Sequence, residues 1–249
     1  KNLAIEAGGT VNITDASTDV NTLAVSNASN SVTFTDSNSF SVGTVDGVVG
    51  VSGSTVSLTA TTGDLTVINT ANAKDIDASG AVTLQADAVD AKVVVSATAD
   101  VQTSAGGVTV TADKVDLAGT ITASTGTQTV TLQPKASGVA INLGSGTDAV
   151  AGTLELSSTE LGQVTATTLR VGRSNAGAIT LSADVTPSNV TNLHLITGGA
   201  VTVTAGGVLG NKNLAIEAGG TVNITDASTA VNNLAISVSG AGNAITFTN

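Results

Sequence analysis

The segment KNLAIEAGGTVNITDAST stands at Lys1–Thr18 and again, unchanged, at Lys212–Thr229. Eighteen identical residues at an offset of 211 are no accident, and the likeness runs on. VNTLAVS at 20–26 answers VNNLAIS at 231–237, and NSVTFT at 30–35 answers NAITFT at 243–248 after a two-residue slip. A chain that repeats itself stacks similar units, each burying an apolar face on its neighbour. The sequence therefore reads as a single solenoid segment, 1–249, expected to be cut from a much longer repetitive protein. Residues 1–211 form one long tandem unit and 212–249 begin the next copy.

A shorter repeat lies inside the long one. An aliphatic–polar–aliphatic–polar motif begins at Val11, Val32, Val56, Val82, Val108, Val130, Leu154, Ile179, Val201, Val222 and Ile245, at spacings of 21 to 26 residues and a mean of 23.4. Strict alternation marks a strand with one buried face. Each motif runs into a turn rich in Asp, Ser, Gly or Asn, usually followed by a second aliphatic stretch such as LTV, KVVVS, VAINL, TLRV or LHLI. Helical periodicity is absent. The expected fold is all-β: a right-handed parallel β-helix of about 11 coils of ~23 residues, nine of them from Val11 to Val222. Eleven coils at the strand spacing would make a rod of roughly 50 Å.

Composition agrees with a narrow interior. Cys, Met, Trp and Tyr are absent, and Phe34, Phe40 and Phe247 are the only aromatics. Wide cores normally use aromatics because each buries so much area. The net charge of −11, with eight scattered basic residues, speaks against nucleic acid and against docking on anionic lipid. No apolar run approaches the ~20 residues of a spanning helix, and the aromatic girdles of a membrane barrel are missing.

Four stretches carry a resemblance: NLAIEAGGTVNIT (Asn2–Thr14), VGTVDGVVGV (Val42–Val51), LSSTELGQVTATTLRVG (Leu156–Gly172) and AGAITLSADVTPSNVTNLHLITGGAVTV (Ala176–Val203). Their style resembles the repeats of the filamentous-haemagglutinin-like large exoproteins of Gram-negative bacteria, which are exported by two-partner secretion. That resemblance implies a β-helical shaft, secreted or on the cell surface, acting in adhesion, aggregation or biofilm. Its partners would be neighbouring repeats, other copies associating side by side into fibres, and a host, cell or abiotic surface. It brings no catalytic set.

The residues themselves offer little chemistry, and no enzyme is expected. His194 is the only histidine, and alternation in NLHLIT points it outward as an exposed strand residue. One histidine without a cysteine assembles neither a nucleophile pair nor a zinc cage. A glycan-binding β-solenoid and a polysaccharide-degrading β-helix enzyme are alternatives that turn on carboxylates. Asp75 and Asp77 flank Ile76 and could share an outward face, but the aromatic platforms of a sugar subsite are not near. Asp15, Asp36, Asp87, Asp113, Asp184 and Asp226 all fall four or five residues after the first residue of their motif, in the turn leaving the strand. The preferred reading is that such aspartates cap turns by accepting from their own backbone. The one metal reading is calcium between Asp87 and Asp113 on consecutive coils, since hard cations take several oxygens. No other cofactor is expected. Outward Thr pairs at Thr33/Thr35, Thr109/Thr111, Thr202/Thr204 and Thr246/Thr248 raise an ice-binding alternative, interrupted by Gln85, Gln133, Glu155, Asn12 and Asn223. The bland account is strand propensity.

Overall fold

The computed structural model describes residues 1–15, 17–70, 74–123, 125–204, 209–226 and 228–248, the side chain of Asn211 excepted. The chain winds as a β-solenoid in which strands one coil apart pair in parallel and in register. A single ladder runs from one end to the other: Val11, Val32, Val56, Val82, Val108, Val130, Leu169, Leu193, Leu214 and Leu234 stand in one column. Ten strands at the strand spacing give a face about 43 Å long.

Alternation explains why each strand lies as it does. In Val82–Ala86 the side chains of Val82, Leu84 and Ala86 are buried while Thr83 and Gln85 are partly exposed. The same inward positions in adjoining coils are Leu58 and Val110, so Leu84 sits in an aliphatic column with no exposed surface. Burying one such side chain contributes ~1.5–3 kcal/mol. The columns are aliphatic almost throughout. Phe34 and Phe40 are among the exceptions, meeting edge to face at 5.2 Å between ring centres.

The central coils carry three strands. The first face holds the column just named. The second holds Phe40–Val42, Leu65–Val67, Lys92–Val95 and Lys114–Leu117. The third holds Val51–Gly53, Ile76–Ala78, Asp100–Thr103 and Thr120–Ala123. Near the start of the chain, second and third faces are one straight strand: in Thr22–Ser26, Leu23 pairs with Val42 while Val25 pairs with Val51. The corner between them opens at a hairpin, Thr44–Val45 against Val48–Val49, whose Asp46-Gly47 turn has both φ angles positive, 49° and 83°. Such a turn takes Asp-Gly readily, because glycine accepts the left-handed conformation without a Cβ clash. Toward the other end the third and first faces merge instead. Val164–Arg173 is ten residues long, pairing with Ile121–Ala123 through its first part and with Thr129–Leu132 through its second.

This migration of corners corrects the alignment expected from the motifs. The first six, Val11 to Val130, do share a column. Leu154, Ile179, Val201, Val222 and Ile245 stand on another sheet, around the strand Ala140–Leu143. Eight coils, not nine, therefore carry the column from Val11 to Leu214. The motif spacing alone cannot say which face a VTLT-like strand joins, because every face demands the same alternation.

Two further departures lie between residues 140 and 163. Ala140–Leu143 and Thr153–Leu156 are consecutive in sequence yet pair in parallel with each other, so residues 144–152 must cross back over the outside of the sheet. A short helix, Ser158–Gly162, follows. It is closed by a capping box in which Ser157 and Glu160 each accept or donate across the first turn. No helix was expected from the sequence, although Ser157-Ser-Thr-Glu160 is the spacing such a box requires.

Candidate functional site

The outward side chains of the first face form a surface ten strands long. One column reads Asn12, Thr33, Ser57, Thr83, Thr109, Thr131, then Arg170, His194, Ala215 and Ala235. Small hydroxyl residues give way to two bulky basic ones and then to alanine. Beside Arg170 and His194, the step down to Ala215 and Ala235 leaves a shallow groove of about 420 Å³. One wall of it is a ladder of amides. Asn233 Nδ2 donates to Asn213 Oδ1 at 2.7 Å, Asn213 Nδ2 to Asn192 Oδ1 at 2.9 Å, and Asn192 Nδ2 to Thr168 Oγ1 at 3.2 Å. Each amide spends one N–H on the ladder and keeps another for the surface.

His194 points outward, as alternation requires, but it is not freely exposed. Its side chain keeps 16% of its surface, and Nε2 lies 3.1 Å from Glu217 Oε1. Burial lowers its pKa, the neighbouring charge of Arg170 lowers it further, and Glu217 opposes both. The net effect is a pKa below the ordinary histidine range. Arg170 has no ion pair among the described residues, and its Nε is buried without a hydrogen-bond partner.

The crossing segment 144–152 forms a second outward feature. It lies over a like-charged pair, because Lys92 and Lys114 stand directly above one another on the second face. Lys92 Nζ meets the Asp148 carboxylate at 2.8 Å and Lys114 Nζ donates to the Asp148 carbonyl at 2.6 Å. Beneath the segment lies Glu155, 1% exposed. It accepts from Ser145 Oγ at 2.5 Å, Val150 N at 3.0 Å and Thr147 Oγ1 at 3.3 Å. Burial pushes this carboxyl up, yet the hydrogen bonds outweigh it and the pKa falls. Glu155 was expected as an outward interruption of the Thr columns. It does leave the strand outward, and the crossing segment then covers it.

Asp87 and Asp113, the calcium pair, each hold protein donors. Asp87 pairs with Lys135 and accepts from Gln85 Nε2 at 2.7 Å. Asp113 is buried and accepts the backbone N–H of Lys135 at 3.0 Å and of Ala136 at 2.8 Å. Lysine 135 thus serves both carboxylates, one by its side chain and one by its backbone. Among the described residues no three His, Asp or Glu side chains converge as a metal site would.

The turn-capping reading holds for Asp15, Asp36 and Asp226, but not for Asp87 and Asp113, which bond Lys135 of another coil. Asp15 and Asp226, equivalent residues of the two copies, each accept from the backbone N–H two residues on, at 2.8 Å. Asp36 does the same toward Asn38 and also takes the N–H of Val20 in the preceding coil. Asp75 and Asp77 do not share an outward face. Asp75 is fully buried at a corner, where it accepts from Thr70 N and Asp100 N at 2.8 Å each, whereas Asp77 is half-exposed and pairs with Lys74 at 3.0 Å. The Thr pairs are divided as well. Thr33/Thr35 and Thr109/Thr111 lie on the first face, and Thr202 and Thr246 lie on the sheet that contains Val201 and Ile245.

No family model, no curated protein and no solved structure matches the chain. No helix among the described residues is long and apolar enough to cross a membrane.

Proposed function

We propose that the chain is a length of structural shaft from a secreted or cell-surface protein of the filamentous-haemagglutinin-like kind, serving adhesion, aggregation or biofilm rather than catalysis. One observation carries the reading: an unbroken ladder from Val11 to Leu234 within a chain that begins to repeat itself at Lys212. A solenoid of this build gains length by adding units without changing its cross-section, since each coil touches only its neighbours. Its work is mechanical, and its lateral faces are the surface along which partners meet it.

The aspartates fit this role better than a catalytic one, because Asp15, Asp36 and Asp226 hold turns closed while Asp77 and Asp87 pair with lysines. The test is electron microscopy of producing cells labelled with antibody to this segment, beside negative stain of the purified protein. Labelled surface threads are the expected result. Label confined to the cell interior would overturn the reading.

A further inference from the structure

The two copies of the eighteen-residue segment do not occupy the same side of the rod. In the first copy, Val11 opens the column of the first face. Following that column through eight coils leads not to Val222, its equivalent, but to Leu214, the equivalent of Leu3. Val222 stands instead between Val201 and Ile245 on the other sheet. Conversely Leu3 pairs with Leu23, whose next neighbour is Val42 on the second face. In the second copy the short strand has left the first face for the other sheet, and the long strand has taken its place in the first-face column.

We infer that successive 211-residue units are turned about the rod axis relative to one another by at least one face, so that the shaft displays each lateral surface in a rotating series of directions. The cause is visible in the corners. The first coils merge the second and third faces, the last merge the third and first, and the chain reaches its own repeat after eight coils and a fraction. Since the second copy starts from a turned position, each further unit inherits the turn.

The inference rests on the tandem-array reading and says what kind of partner fits it. The groove beside Arg170 and His194 recurs once per unit but faces a new side each time. Discrete partners engage such a rod from all around. A second rod lying alongside meets matching surface over one unit only, which argues against side-by-side fibres built on a continuous stripe.

The chain has no cysteine, so paired substitutions test the register cleanly. On the turned arrangement His194 is one rung from Ala215, within the ~4.4–6.8 Å that a disulfide spans between Cα atoms. On an unturned arrangement the neighbour of His194 would be Asn223, which here pairs with Thr202. His194→Cys with Ala215→Cys should oxidise to an intramolecular disulfide in most of the chains, and His194→Cys with Asn223→Cys should not. Thr202→Cys with Asn223→Cys is the positive control for the other sheet. The reverse pattern, or linkage of neither His194 pair while the control links, would overturn the inference. Either result leaves the extracellular reading untouched, because linkage does not depend on where the protein sits.

Discussion

Lys92 and Asp148, fifty-six positions apart, meet at 2.8 Å with the carboxylate 9% exposed. The contact anchors the crossing segment to the second face. Burial works against the charge of Lys92, but Asp148, with Asp116 and Asp64 behind it, outweighs burial and raises its pKa. Asp148 is also the group that separates two stacked lysines, since Lys114 donates to its carbonyl. Asp148→Ala should therefore cost more than Lys92→Ala, on the order of 1–2 kcal/mol against less than about 1. Hydrogen exchange across 145–152 should rise in both. Equal losses of melting temperature in the two variants would show that the lysine pair needs no counter-charge.

Acid should act in opposite directions on two glutamates five residues apart. Glu155 has a lowered pKa, so the stability it contributes is present above the ordinary carboxylate range and disappears as pH falls through its folded value. Glu160 has a raised pKa, chiefly from burial and with Asp148 adding to it, against hydrogen bonds from Ser157 and Leu117. The cost of its charge is present above its folded value and relieved as pH falls through it. The melting difference between the parent and Glu155→Gln should shrink on acidification. For Glu160→Gln the parent should gain ground on acidification. Parallel pH profiles for the two variants would contradict the assignment.

Alternation makes a sharp claim about neighbours in one strand. Leu84 is fully buried between Leu58 and Val110, and Leu84→Ala should cost ~2–5 kcal/mol. Thr83, one residue earlier on the outward side, should tolerate alanine within about 0.5 kcal/mol. Denaturant midpoints of the two variants measure both, and similar losses would mean that the strand register is wrong.

His194 is the only histidine, so its imidazole resonances can be followed by NMR without assignment. It should titrate below the ordinary histidine range. Arg170→Gln removes a positive neighbour and should move the titration up, while Glu217→Gln should move it down. A parent value at or above the ordinary range would show that His194 is more open to water than its 16% exposure implies.

Much of this molecule was legible in the residues. The alternation of Val82-Thr83-Leu84-Gln85 and its relatives told strand from helix and inside from outside. Some of the aspartates that follow strands announced their turns: Asp15 and Asp36 make the bonds that a short carboxylate makes with its own backbone, whereas Asp87 and Asp113 bond Lys135 from another coil. Harder to read were features whose partners lie elsewhere in the chain. Glu155 looks like any outward strand residue until residues 144–152 fold over it. His194 looks exposed until Arg170 and Glu217 arrive from adjacent coils. Asp75 looks like half of an outward pair until Asp100 of the next coil supplies a donor.

Period-two patterning and an exact internal repeat by themselves determined that the chain is a parallel solenoid with an aliphatic interior. Local alternation is enough for that, because a strand buries one face whatever its neighbour is. Only the tertiary structure decided which face each strand joined, how the crossing segment came to cover Glu155, and that Val11 and Val222 look in different directions. Those outcomes depend on where corners open and close along the rod. A corner costs the sequence only a few small or polar residues, whereas its effect accumulates over every coil that follows.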